Sequence, residues 1–77
     1  MEDLWIHQAP IRLDQVLKLA NWVMSGAEAK MVIQEGLVLV NGETCIQRGK
    51  KIHVGDRIDF DNQSLLVRKS PADKGEN

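Results

Sequence analysis

The chain has no tyrosine and only three other aromatics, Trp5, Trp22 and Phe60, in 77 residues. Proteins that hold single strands on stacking platforms use more aromatic faces than that, so this mode of binding is disfavoured. Cysteine is nearly missing as well: Cys45 stands alone and cannot close an intramolecular bridge. A secreted domain of this size would rely on several bridges, so a reducing, cytoplasmic setting is expected. No apolar run reaches the length of a signal peptide or membrane span, and the first residues carry Glu2 and Asp3 rather than a basic stretch. A soluble, unprocessed chain with no membrane partner follows as the expectation. An excess of either charge is also absent. Ten Lys and Arg face eleven Asp and Glu, for a net charge of −1, which argues against indiscriminate attachment to nucleic acid or anionic lipid.

The groups of catalysis are equally sparse. Cys45 reads as a small packing residue, and with only His7 and His53 available no nucleophile, base and orienter assemble. His53, between Ile52 and Val54, reads as an exposed strand position, and His7 as a surface residue. Asp59 and Asp61 are more simply a solvated strand end than a catalytic pair, and no Gly-rich phosphate cradle occurs. No enzyme activity, metal or cofactor is expected.

What is present is an ordinary globular mixture, 43% hydrophobic and 27% charged, long enough for one domain and no second. Residues 1–69 are expected to form it, with a disordered tail over 70–77. Charge is unevenly spread along the chain. From Arg12 to Arg57, seven cations (Arg12, Lys18, Lys30, Arg48, Lys50, Lys51, Arg57) face five acids (Asp14, Glu28, Glu35, Glu43, Asp56), a balance of +2; the ends carry −3. The middle is therefore where an anionic partner would bind.

Leu13, Val16, Leu17 and Ala20 recur at helical spacing and predict a helix over Arg12–Asn21. Ser25 with Glu28 three residues on is a capping-box pattern, and Ala29, Val32 and Ile33 continue an apolar face until Gly36, so a second helix is predicted over Gly26–Glu35. The short link makes the two helices packing neighbours. Leu37–Val40 is apolar at every position, as in a strand buried on both faces. Asn41-Gly42 then suits a tight hairpin, with a partner strand over Glu43–Ile46. Gln47–Lys51, with three cations and no acid, reads as an exposed loop. A Gly55-Asp56 turn leads to Arg57–Phe60 and Leu65–Val67, a final hairpin around Asp61-Asn62-Gln63, and Leu4-Trp5-Ile6 supplies a possible edge strand. The fold class is α+β: two packed helices followed by a small, mainly antiparallel twisted sheet.

Two features address anions. Ser25-Gly26-Ala27 opens a helix where backbone amides face outward, although Glu28 opposes an incoming anion and a plain capping role is the simpler account. Arg48, Lys50 and Lys51 lie within four residues, and would join Arg12, Lys18 and Lys30 in one basic face if the loop folds back beside the helices. Such a face contacts phosphates and backbone shape rather than base edges.

The ordered series Arg12-Leu13-Asp14-x-x-Leu17, Ser25-x-x-x-Ala29, Ile33-x-x-Gly36-x-Val38-x-Val40-Asn41-Gly42 and Ile52-x-x-Gly55-Asp56-x-Ile58 resembles the S-four RNA-binding domain, over about Arg12 to Ile58. The whole chain resembles the small standalone bacterial members that carry no attached enzyme. This resemblance implies the alpha-L RNA-binding motif and an RNA surface made of the start of helix one, the exposed side of helix two and the basic loop. It nominates Arg12, Ser25, Lys30, Asn41, Arg48, Lys50 and Lys51, with Lys18 beside them from the charge reading. Leu13, Leu17, Ala29, Ile33 and Val38 match core positions. Asn41 and Gly42 also suit a purely conformational role, because the turn needs them regardless. One departure stands out: many relatives place Arg directly after the serine of helix two, and here Gly26 stands there, leaving Lys30 to substitute.

Two functions are thus weighed. One is non-catalytic binding of structured RNA, ribosomal or transfer RNA, by a monomer. The alternative is a protein-interaction adaptor of the translation machinery that uses Trp5 or Trp22 and the acidic ends, with a ribosome-associated protein as partner.

Overall fold

The stripe of Leu13, Val16 and Leu17 forms helix α1 (Leu13–Leu19), with all three side chains fully buried. Ala29, Val32 and Ile33 form the buried stripe of α2 (Gly26–Gln34), with Val32 at its margin. These positions come from a computed structural model that describes residues 1–71; most of the expected tail, 72–77, lies outside the described residues.

Both helices stop where a residue takes up left-handed backbone. Asn21 (φ 60°) follows α1 and Gly36 (φ 79°) follows α2. At α1 the Trp22 N–H donates to the Leu17 carbonyl and Asn21 N–H to Lys18; at α2 Leu37 N–H donates to Val32 and Gly36 N–H to Ile33. This is the Schellman arrangement, which satisfies carbonyls the helix end leaves open. It makes α1 shorter than the Arg12–Asn21 predicted. At the start of α2, Ser25 Oγ accepts from the Glu28 N–H (3.1 Å), while the Glu28 carboxylate accepts from the N–H of Met24, one residue before the cap (2.8 Å).

The strands are β1 (Glu2–Ile6), β2 (Ile11–Arg12), β3 (Val38–Val40), β4 (Glu43–Thr44), β5 (Lys51–Ile52), β6 (Arg57–Phe60) and β7 (Gln63–Lys69). Five form one sheet in the order β1-β7-β6-β3-β4, and β2 pairs with β5 as a separate two-stranded ribbon. The expected order of helices followed by sheet is corrected here, because β1 and β2 precede both helices. The pairings β3–β4, β3–β6 and β6–β7 are antiparallel, as predicted, whereas β1 lies parallel to β7. A parallel neighbour needs a long crossover, and here the whole helical region intervenes.

Side chains of one sheet face join the helices in a single buried cluster: Ile6, Val38, Val40, Ile58, Leu65 and Val67 meet Leu13, Leu17 and Ile33. The other face is open. For that reason Leu39 is only half-buried and Leu37, ahead of the strand, is 49% exposed, against the expectation of a strand buried on both faces. Trp22 packs on the core, tilted against Phe60 with ring centroids 6.3 Å apart, so it closes the core rather than forming an outer docking point. Cys45 also packs on the core, its thiol donating to the Gln47 carbonyl.

On the open face Asp59 accepts from Ser64 and pairs with Arg57 at 3.2 Å. The Ser64 hydrogen bond, aided by Arg57 and opposed by burial, holds the Asp59 carboxyl below its ordinary 3.8. A depressed folded-state pKa adds stability above the unfolded value, and this is lost as pH falls through the folded value. Asp59→Asn should therefore lower stability in urea melts near pH ~7, with the deficit shrinking towards pH ~2; a deficit independent of pH would contradict this account.

Candidate functional site

The six residues after β4 decide where the cations stand. Gln47 to Lys50 form a tight turn in which the Lys50 N–H donates to the Gln47 carbonyl (3.1 Å). The Leu13 N–H, first of α1, donates to the Lys50 carbonyl (2.9 Å), and the Asp14 N–H to the Arg48 carbonyl (3.1 Å). A helix start has amides without intrahelical partners, and the loop supplies the acceptors. With its carbonyls turned inward, the loop leaves the side chains of Arg48, Lys50 and Lys51 exposed. The β2–β5 ribbon completes the join, placing Arg12 directly across from Lys51. The loop thus folds back beside α1, the condition on which a shared basic face rested, with Lys51 in a strand rather than in the loop itself.

Two grooves flank this seam. One, of about 210 Å³, is lined by Arg12, Asp14, Gln15, Lys18 and Gly26, between the start of α1 and the start of α2 beside Ser25. The other, of about 610 Å³, runs along the β3–β4 hairpin and includes Asn41, Thr44, Gln47, Lys50, Lys51 and His53. Lys30, exposed on α2, lines neither groove.

Acids temper the cations. Arg12 donates to Asp14 at 3.0 Å, and Asp14 is only 14% exposed in its side chain, with its second oxygen buried and unbonded. Asp56 accepts from the His53 N–H (2.8 Å) and from the Asn41 amide (3.0 Å). The Asn41 side-chain oxygen accepts from the Arg57 N–H (2.9 Å), and its backbone N–H donates to the Arg57 carbonyl (2.8 Å). Asn41 (φ 52°) and Gly42 (φ 87°) make the hairpin turn as expected, and the side chain of Asn41 then ties that turn to Asp56, fifteen residues on. These bonds give Asn41 the conformational role. Charge patterning alone did not reveal Asp14, Gln15 and Asp56 in the lining of these grooves; the signal for Asp14 and Asp56 is their place in the Arg-Leu-Asp and Gly-Asp motifs, and Gln15 had none.

Among the described residues no group of three or more His, Cys, Asp and Glu could hold a metal ion. No helix among them is long and apolar enough to cross a membrane.

The model of the S4 domain matches residues 4–68 of this chain. The chain belongs to the S4 domain family. It is 45% identical over 51 residues to the probable ribosome maturation protein RlbA of Bacillus subtilis (strain 168), covering 66% of this chain and 72% of that protein. It is 39% identical over 57 residues to YbcJ of Escherichia coli (strain K12), covering 74% and 81% respectively. The solution structure of Escherichia coli YbcJ, described as revealing an alpha-L motif involved in RNA binding, superposes with a TM-score of 0.69 at 35% identity, over 88% of this chain and 87% of that one. The S4 domain here thus carries the alpha-L fold.

Asn41→Ala removes two side-chain hydrogen bonds and puts a poor residue at positive φ, so a loss of about 1 to 3 kcal/mol is expected. Thermal melts would read this as a fall in Tm of about 5 to 20 °C for a domain of this size. Asn41→Gly tolerates the backbone but not the bonds and should lie between the two; equal stability of all three would remove the tie to Asp56.

Proposed function

We propose that this S4 domain binds structured RNA, ribosomal or transfer RNA, without covalent chemistry, through the basic face around the joined loop and helix start. Arg12, Lys18, Arg48, Lys50 and Lys51 contact phosphates from the two grooves and the seam between them. Ser25 and Lys30 extend the face along α2, and Asn41 holds the hairpin turn that walls the larger groove. The observation that carries this reading is the donation of the first two α1 amides to the Lys50 and Arg48 carbonyls. It gathers cations from distant stretches of sequence onto one surface with their heads in solvent. Few side chains there read bases, which favours recognition by backbone shape. That RlbA is a probable ribosome maturation protein and that the alpha-L motif of YbcJ is involved in RNA binding supports the same class of partner.

Anisotropy titrations with a labelled stem-loop RNA, a single strand of equal length and the matching DNA duplex test the proposal. With three to five cations on phosphates, log affinity should fall against log salt with a slope of about −2 to −4, and Lys50→Ala with Lys51→Ala should weaken binding and flatten the slope by about 1 to 2. A slope near zero, or affinity unchanged in the double variant, would remove the mechanism.

Gly26 offers a second test. A Cβ built there meets nothing within 4 Å, and the residue lines the smaller groove. Gly26→Arg should leave stability within about 0.5 kcal/mol, as exposed substitutions usually do, and tighten stem-loop binding about 2- to 10-fold by adding one phosphate contact. Weaker binding would show that the groove is closed to phosphate.

A further inference from the structure

The sheet has an open edge far from the basic face. In β1, the Ile6 carbonyl accepts from the Ser70 N–H (2.8 Å), so the even-numbered residues of β1 turn their N–H and C=O groups towards β7. Backbone groups alternate along a strand; Asp3 and Trp5 therefore direct both of theirs away from the sheet. β1 is the outermost strand. It has no proline and no bulge to blunt it, and its charged residues, Glu2 and Asp3, are both acidic.

The side chains define what would fit. On the outer face, Asp3 and Trp5 are exposed; the Arg68 guanidinium lies 5.2 Å from the Trp5 ring centroid and 3.8 Å from Asp3. One cation of the chain itself already uses that corner, and Asp3, 47% exposed and paired only at long range, retains acceptor capacity. The shallow hollow beside it is lined by Trp5, Val54 and Leu66 but also by Arg68 and Lys69, so an added cation is drawn to Asp3 at the free edge rather than into the hollow. On the inner face, the neighbours of an added strand would be Leu4 and Ile6, which are apolar.

We infer that the β1 edge docks an extended segment of another protein whose residues alternate cationic and aliphatic, adding it as a sixth strand. The cations face Asp3 and Trp5, and the aliphatic side chains continue the inner face. A second copy of this chain fits less well, since pairing β1 with itself brings Glu2 and Asp3 of both copies into one seam. The β1 and β4 edges are four strand spacings apart, about 19 Å, so the segment leaves the basic face accessible.

The test is titration of the isotope-labelled full chain with a nine-residue peptide alternating lysine and valine, followed by amide NMR signals. The Asp3 and Trp5 amides should shift and become protected from exchange, and a glutamate-for-lysine peptide should bind at least about tenfold more weakly. Asp3→Pro removes an outward donor without touching the β1–β7 ladder and should abolish binding. Asp3→Asn keeps the edge and should weaken binding several-fold, which guards against misfolding of the proline variant. The Lys50→Ala, Lys51→Ala variant should bind the peptide like the parent. Perturbations elsewhere than β1, or equal binding of both peptides, would overturn the inference. A concentration-dependent dimer lost in Asp3→Pro would also overturn it, giving the edge to a second copy.

Discussion

Two hydrogen bonds, from the Leu13 and Asp14 amides to the Lys50 and Arg48 carbonyls, hold the helical and loop parts of this molecule in one register. Each is worth about 0.5 to 1.5 kcal/mol net, yet their structural effect is larger than that. They satisfy donors that a seven-residue helix cannot pair internally, and they choose which side of the loop faces solvent. Because the carbonyls point inward, three cations point out. The β2–β5 ribbon adds to the same seam, setting Arg12 opposite Lys51. Leu13 and Ile52, each beside the seam, are fully buried, so the core fixes the chain on both sides of it.

Gathering cations costs repulsion, and the acids nearby answer it. Asp14 orients the Arg12 guanidinium, and Asp56 organises the turn next to Lys51 while anchoring Asn41. Pairs exposed to solvent contribute little stability, so their effect is chiefly on direction. The result is a surface whose charge is locally positive on a chain of net −1. Such a surface discriminates more by fit than a strongly basic one does, because its general attraction to polyanions is small and screened by salt.

Local signals carried the parts of the fold that were legible in the sequence. Helical spacing located both helices; Asn41-Gly42 and Asp61-Asn62, all at positive φ, located both hairpins; Leu4 to Ile6 marked an edge strand. What stayed hidden depends on partners distant in sequence. A two-residue ribbon such as β2–β5 has no periodicity, the parallel direction of β1 is written nowhere in β1, and Leu37 and Leu39 look core-like until it is clear that the sheet has one bare face. The cations of the candidate site were legible from charge and motif. The employment of the Asn41 side chain by Asp56 and Arg57 was not, since a turn-forming asparagine looks the same whether or not its amide is engaged.

The distribution of charge across the sheet also bears on how a polyanion would approach. Glu2 and Asp3 sit on the outermost strand at one edge, whereas Lys50 and Lys51 line a groove along the β3–β4 hairpin at the other. Each edge also carries the opposite charge, Arg68 and Lys69 across from β1 and Glu43 in the hairpin groove, and at ionic strengths where the Debye length is about 8 to 10 Å the two edges act nearly independently. Under the proposed function, a polyanion is attracted only within about a Debye length of the lysines, where the β1 acids no longer oppose it. The same separation keeps an exposed acidic edge from being covered by the ligand of the basic one. A chain of 77 residues can thereby present two chemically opposite surfaces that do not compete.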